Sequence, residues 1–358
     1  MPDTPATLLK EVVNLQKIVD SAQLPPELKD RALQMIDRLG RMIRFGDYST
    51  ECEKVEHYID WITHLPWTKR SPDILDLEKA KQILDQNHYG LEDIKERILE
   101  YLAVLKLKKE NKNISSDGIL KFMRAPILSF FGLVGTGKTT IAYSIAAAMG
   151  RQIVRVPFGG LGDPLDLRGQ SRIRADAEPG LIIKALRRAG TKNPVILLDE
   201  IDRVTDEGRA SIMGVLVELL DPEQNMAFRD HFIDYPFDLS EALFIATANN
   251  STHIATAVLD RLEPMQMPSY TDEEKIMIAK KYVFPKMLLE AGLGDKAITI
   301  DENAWPKIVR PLGFDAGIRT LERTINGICR KVAKLTVEGG DKSYHLTDAN
   351  IKDFLPTW

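Results

Sequence analysis

The sequence predicts an α/β fold in which a parallel sheet is sandwiched by helices, with a helical segment before it and a small α-helical domain after it. Three observations carry that prediction. Between residues 127 and 249, short apolar runs ending in polar residues alternate with helix-forming stretches, the order produced when parallel strands are joined by crossover helices. The first run leads into Gly132-Leu133-Val134-Gly135-Thr136-Gly137-Lys138-Thr139, which fits the phosphate-binding pattern G-x-x-x-x-G-K-[ST] at every fixed position. The N-terminal residues and those after Thr271 instead space their apolar side chains as helices do. The expected boundaries are 1–68, 69–268 and 269–358.

In chain order, Leu8, Leu9, Val12, Val13, Leu15, Ile18 and Val19 recur at helical spacing. After Pro25-Pro26 a second helix carries Leu28, Ala32, Leu33, Met35, Ile36, Leu39, Met42 and Ile43. This helical hairpin needs a partner surface, either the body of the same chain or another subunit. Tyr58-Ile59-Asp60-Trp61-Ile62 is aromatic and apolar and is closed by Leu65-Pro66-Trp67. Helices are expected over Leu77–Leu84 and from Glu92 to about Lys109, with the turn Asn87-His88-Tyr89-Gly90-Leu91 between them. The basic end of the second (Lys106, Lys108, Lys109, then Lys112) reads as a solvated helix terminus, with a nucleic-acid patch as the alternative. Asn111 to Gly118 is polar and reads as a loop.

Strands are expected at Ile127–Phe131, Ile153–Val156, Val195–Leu198 and Leu243–Ala246. Helices are expected over Ile141–Met149, from Glu178-Pro179-Gly180 to Gly190, and after Asp199-Glu200 to about Leu220. In such sheets the active site lies at the carboxyl ends of the strands. The phosphate loop, Asp199-Glu200 and Thr247-Ala248-Asn249 all fall there. In the last domain, helices are expected over Glu273–Ala291, Asn303–Arg310 and Ile318–Val337, with short strands at Ile298–Ile300 and Tyr344–Leu346.

The 358 residues suffice for two or three domains. A net charge of −4 gives no global case for nucleic acid, and no apolar run is long enough to span a bilayer. The N-terminus lacks the features of a signal peptide. Two cysteines, Cys52 and Cys329, make no disulfide framework, and with six scattered histidines they give no metal spacing. A reducing cytoplasm is the compartment this usage implies.

The phosphate loop has a chemical reading. Its glycines let backbone N–H groups turn inward around phosphate oxygens, and the helix N-terminus adds partial positive charge. Lys138 can reach the β- and γ-phosphates of ATP, and the Thr139 hydroxyl can hold Mg²⁺. Asp199, after four apolar residues, suits the Mg²⁺ shell, and Glu200 suits a base that activates water. Asn249 could position that water or the γ-phosphate, and Arg261 in Leu259-Asp260-Arg261 could be an arginine finger.

The segment from His88 through Arg330 resembles the ATPase module of the Lon family of AAA+ proteins. The resemblance is carried by Tyr58-Ile59-Asp60-Trp61, Leu65-Pro66-Trp67, Asn193-Pro194, Leu197-Leu198-Asp199-Glu200-Ile201-Asp202, Asp221-Pro222-Glu223-Gln224-Asn225, Tyr235–Ser240, Leu259–Glu263 and Gly317-Ile318-Arg319. It extends from about residue 5 to the end, with the first two helices similar to the tail of the family's helical N-terminal region. It implies a P-loop NTPase that uses ATP and Mg²⁺. Asp199 and Glu200 are its Walker B pair, Asn249 is sensor 1 and Arg319 is sensor 2. Arg261 acts on the neighbouring subunit's nucleotide, and His88-Tyr89-Gly90 lies near adenine. It also implies a homohexameric ring acting on protein in protein quality control and catabolism.

Two departures bear on function. No counterpart of the family's Ser-Lys peptidase dyad is found, and Phe354–Trp358 falls about where that domain would begin, so intrinsic peptidase activity is not expected. Counted without gaps between Arg168-Gly169 and Pro179-Gly180, the family's substrate-gripping aromatic–aliphatic pair falls on Arg174-Ala175. A slip of one position would give the gripping role to Ile173 instead. The first functional expectation is a stand-alone ATPase ring that remodels protein, with or without a separate peptidase. The alternatives are a fragment of a full Lon protease, and a nucleotide-switched assembly module on a polyanion such as nucleic acid.

Overall fold

The computed structural model describes residues 5–45, 49–110, 127–174, 176–310, 315–341 and 343–356. The expected loop Asn111–Gly118 and Ala175 lie outside them. Among the described residues no helix is long and apolar enough to cross a membrane.

The chain opens with α1 (Pro5–Ser21), α2 (Pro26–Phe45), α3 (Ser49–His64), α4 (Leu77–Asn87) and α5 (Glu92–Glu110). The central part runs β1 (Ile127–Phe131), α6 (Lys138–Met149), β2 (Ile153–Pro157), α7 (Leu165–Arg168), α8 (Leu181–Ala189), β3 (Val195–Asp199) and α9 (Arg209–Leu220). It continues with β4 (Phe228–Arg229), β5 (Pro236–Phe237), β6 (Leu243–Ala248), α10 (Thr256–Leu259) and β7 (Leu262–Gln266). Last come α11 (Asp272–Ile278), α12 (Phe284–Glu290), β8 (Ile298–Ile300), α13 (Trp305–Val309), α14 (Arg319–Val337), β9 (Tyr344–Leu346) and α15 (Ile351–Phe354). This is the expected α/β fold, with helical segments at both ends of the chain.

The strand order is β2-β3-β6-β1-β7, with β2 parallel to β3 and β3 parallel to β6. Every residue of β3 and β6 is buried, which is why both read as unbroken apolar runs. β2 alternates buried and exposed residues, as suits an edge strand with one covered face. β7 was not expected from the sequence. Glu263 and Pro264 interrupt its apolar pattern, and a proline without an N–H is tolerated because the strand lies at the sheet edge.

Residues cluster into two compact units: those within Met1–Leu75, Leu105–Ser129 and Ala146–Glu263, and those within Asp76–Val104, Phe130–Ile145 and Pro264–Trp358. In the first, α1 and α2 pack on each other and on α3 through Leu15, Val19, Leu28, Ala32, Ile36, Leu39 and Ile43, all buried. Part of the hairpin stripe is therefore covered from within the chain, by a helix whose aromatic run carried no clear helical signal, while Val13 and Ile18 stay exposed. Tyr58 on α3 donates its hydroxyl to Ile233 O at 3.1 Å, and the Trp67 ring lies 4.9 Å from that of Phe237.

In the second unit, Trp305, Ile308, Leu321, Ile325, Ile328, Cys329 and Val332 form the core, and β8 pairs with β9 in parallel. The single helix expected over Glu273–Ala291 is interrupted by a π-helical turn, Ala279–Val283. Pro285 lacks the N–H an α-helix would use, and Phe284 N–H reaches back to Ala279 O, five residues away.

Asp230 holds the loop of residues 169–180 in the first unit. It is fully buried, and its carboxylate accepts from Gly180 N–H at 2.7 Å, Phe232 N–H at 2.8 Å and Ile233 N–H at 3.0 Å. Asp230→Asn would turn an amide NH₂ toward one of these donors and should cost roughly 2–3 kcal/mol. The expected result is a lower thermal midpoint together with faster proteolysis between Gly169 and Gly180. Unchanged values for both would mean that the carboxylate does not clamp the loop.

Candidate functional site

In the unit that holds it, the phosphate loop joins β1 to α6. Gly135 has φ 84°, a left-handed value open to glycine, and its N-terminal neighbours Leu133 and Val134 are exposed. Lys138 is buried, and its ammonium donates to Gly132 O at 2.5 Å and Leu133 O at 3.0 Å. These loop carbonyls solvate a charge that water cannot reach. Thr136 donates to Leu133 O at 2.9 Å, Tyr270 donates to Thr136 O at 3.1 Å, and Thr139 is half-buried in the first turn of α6. Burial and then Glu274 push the Tyr270 hydroxyl up to about 12, so it remains a donor.

Gly317-Ile318-Arg319 packs directly on this loop. Ile318 N–H donates to Gly135 O at 3.0 Å. A Cβ on Gly317 would lie 2.4 Å from Val134 O, so only glycine allows the approach. A Cβ on Gly135 would lie 3.3 Å from Arg319 Cγ, which places the exposed Arg319 side chain beside the loop. His88 caps α4 and reaches the helix that follows the loop, with Nε2 2.9 Å from Ser144 Oγ on α6. Tyr89 packs on the core of this unit, and Gly90 has φ 62°.

The carboxylate pair lies in the other unit. Asp199 closes β3, where Thr247 on β6 donates to its Oδ1 at 2.5 Å. The same Thr247 hydroxyl accepts from Glu200 N–H at 3.0 Å. Glu200 has φ 57°, a left-handed conformation that costs a side-chain-bearing residue on the order of 1 kcal/mol or more and persists only where neighbours hold it. Its Oε1 lies 3.5 Å from Arg203, and its Oε2 3.3 Å from where a Cβ on Gly159 would stand. Asn249 follows β6 and is half-buried.

Among the described residues, Arg261 reaches Asp221 rather than the Asp199–Glu200 pair. Its Nη2 is 2.8 Å from Asp221 Oδ2 and its Nη1 donates to Ala257 O at 2.7 Å. The Arg261 hydrogen bond is the main cause that holds the Asp221 carboxyl below the usual carboxylate range. In the loop of residues 169–180, Arg172 stacks on Tyr58 with its guanidinium carbon 3.9 Å from the ring centroid. Ile173 is 91% exposed, and Arg174 is exposed beside it.

The structure brings the phosphate loop and Arg319 together, and beside the Asp199–Glu200 pair it places a residue that sequence reasoning missed, Thr247, which bridges the two. Sequence reasoning also missed Arg155, whose Nε is 2.6 Å from Asp199 Oδ2. Thr247 stood at an identified strand end, so its position was a usable signal. Arg155 stood within an expected strand and carried no functional signal in the sequence.

The family model for the ATPase family associated with various cellular activities (AAA) matches residues 128–269. The model for the Lon protease AAA+ ATPase lid domain matches residues 289–344. The chain is 42% identical over 346 residues to Lon protease 2 of Thermus thermophilus, covering 97% of this chain and 43% of that protein. It is 43% identical over 346 residues to Lon protease of Lawsonia intracellularis, covering 97% of this chain and 40% of the relative.

The chain carries the AAA+ module of the Lon family.

It spans about two-fifths of the length of these curated relatives. In this Lon-family module the phosphate loop and Arg319 fall in one compact unit, and Asp199, Glu200, Asn249 and Arg261 in the other. Hydroxyl and carboxylate oxygens, as on Thr139 and Asp199, are the hard donors that Mg²⁺ selects.

Burial, and then Lys95, lower the His88 pKa to about 4. The folded value lies below the unfolded one of about 6.5, so the unfolded chain takes up the proton first. The stability linked to neutral His88 is full above about pH 6.5 and is lost as pH falls toward 4. His88→Asn should reduce the acid-induced loss of stability on the order of 2 kcal/mol, read from thermal midpoints at pH 7.5, 6 and 5. Equal pH slopes for the two proteins would contradict a buried neutral imidazole.

Proposed function

We propose that this Lon-family module hydrolyses ATP with Mg²⁺ and uses the cycle to remodel or unfold protein. The observation that carries the proposal is the convergence of Lys138, the N-terminus of α6 and the Gly317–Arg319 turn on one glycine loop. Its chemistry fits a polyphosphate: an ammonium, helix N–H groups and an arginine side chain meet at a loop that contributes no carboxylate to oppose an anion. In this reading Gly132–Thr139 cradle the phosphates, His88-Tyr89-Gly90 flank adenine, and Arg319 reads the phosphate charge.

Glu200 takes a proton from a water whose oxygen attacks the γ-phosphorus, and ADP leaves with the electron pair of the broken P–O bond. Asn249 orients that water. Thr139 and Asp199 would offer the oxygens that hold Mg²⁺, which would supply charge neutralisation for the phosphates. The left-handed backbone at Glu200 and its anchor on Thr247 support a base held in place before substrate arrives. The functional division into 1–68, 69–268 and 269–358 belongs to the same proposal. So do a homohexameric ring in the cytoplasm, action of Arg261 on the neighbour's nucleotide, and delivery of substrate to a separate peptidase.

The loop of residues 169–180 favours protein over a polyanion as what the ring handles. Arg172 is engaged with Tyr58, and apolar Ile173 is 91% exposed. Arg174 beside it adds a preference for acidic segments, screened by salt.

Glu200→Gln should bind ATP about as well as the unaltered protein and turn it over roughly 10²-fold more slowly, the scale of general-base loss. Near-normal turnover would sink the assignment of the base.

The loop is tested by ATPase stimulation with casein-like unfolded protein, an acidic polypeptide and single-stranded DNA. Ile173→Ser should lower stimulation by unfolded protein several-fold, and Arg174→Tyr should raise stimulation by neutral apolar chains and remove the salt-sensitive preference for acidic ones. Strongest stimulation by DNA, unaffected by Ile173→Ser, would favour the polyanion reading.

A further inference from the structure

Asp199 carries a counter-ion of its own. Arg155 lies in the middle of β2 between buried Val154 and Val156. The parallel register pairs Arg155 with Leu197 and Pro157 with Asp199. Residues two apart along a strand share a face, so Arg155 and Asp199 are diagonal neighbours on one side of the sheet. Nε and Nη2 of Arg155 both lie 2.6 Å from Asp199 Oδ2. Two donors on one oxygen use both of its lone pairs, and Oδ1 already accepts from Thr247.

The two partners differ in burial. The Asp199 side chain is 6% exposed and that of Arg155 is 51% exposed. A carboxylate as buried as this is tolerated only beside a positive partner or a strong donor set. The guanidinium supplies it while keeping half of its own surface in water, from which it can swing away without being stranded. A divalent cation drawing on the same carboxylate competes with that guanidinium for charge and for lone pairs.

We propose that Arg155 is a displaceable counter-ion of Asp199, and that it sets the Mg²⁺ concentration at which the Mg²⁺–nucleotide complex is accepted. Arg155 is a positioning residue in this scheme. It aims the carboxylate in the metal-free protein, and it raises the threshold for metal. The inference rests on Asp199 being the metal-side carboxylate of the proposed function.

The test is a Mg²⁺ titration of binding of a fluorescent, slowly hydrolysed ATP analogue at fixed concentration, so that turnover does not enter the readout. Thermal midpoints in chelator without nucleotide check that each variant folds. Arg155→Gln should lower the Mg²⁺ midpoint roughly three- to tenfold, and Arg155→Lys, which keeps the charge, should stay within about twofold of the unaltered protein. Asp199→Asn should raise the midpoint and abolish the difference between chains with Arg155 intact and chains carrying Arg155→Gln. An unchanged or raised midpoint for Arg155→Gln, with Asp199→Asn still raising it, overturns the counter-ion and leaves the metal role of Asp199 standing. A midpoint unmoved by Asp199→Asn overturns that role and the counter-ion with it.

Discussion

A carboxylate that ends a fully buried strand is the constraint on which the catalytic half of this protein depends. Strand β3 has no exposed residue, so Asp199 leaves the core with its backbone already fixed by β2 and β6. An ionised group in that position is tolerable only if every oxygen finds a donor. Thr247 supplies one from β6 and Arg155 supplies the other from β2. The same Thr247 hydroxyl then accepts the Glu200 N–H, and Phe158 N–H donates to Asp199 O at 2.9 Å. The satisfaction of one buried charge therefore fixes the backbone that aims the next residue, and the left-handed turn at Glu200 follows from it.

The phosphate loop faces a related problem with the opposite sign. Lys138 is buried and is solvated by Gly132 O and Leu133 O of its own loop. Carbonyl dipoles stabilise an ammonium without themselves neutralising it. The loop is held from outside by a turn that comes from the far end of the sequence. Gly317 packs against Val134 O with no room for a side chain, and Ile318 N–H closes onto Gly135 O. The base of the Arg319 side chain thus stands next to the loop because two glycines allow two backbones to meet.

Buried polar groups also organise the loop that carries Arg172, Ile173 and Arg174. Asp230 gathers three backbone N–H groups at its base, and Tyr58 on α3 holds Arg172 by its ring while its hydroxyl reaches Ile233 O. An arginine stacked in this way contributes rigidity more than free charge. That is why a loop reading as basic in sequence presents an apolar tip, with Ile173 91% exposed.

What the sequence determined by itself were the features written in local order. Buried strands read as apolar runs because both faces are covered, and the phosphate loop read as a motif because its glycines, lysine and threonine act through backbone conformation at fixed spacing. Helices α1, α2 and α14 were legible from periodicity. What only the tertiary structure decided were pairings across long separations: Arg155 with Asp199, Thr247 with both members of the carboxylate pair, Arg261 with Asp221, and Arg172 with Tyr58. Edge strand β7 and the π-helical turn before Pro285 belong to the same class, because edge position and neighbouring turns decide whether a proline is tolerated. Spacing along the chain records what a residue does to its own backbone. Which charge meets which carboxylate depends on strand register and on which oxygens burial leaves in need of a donor.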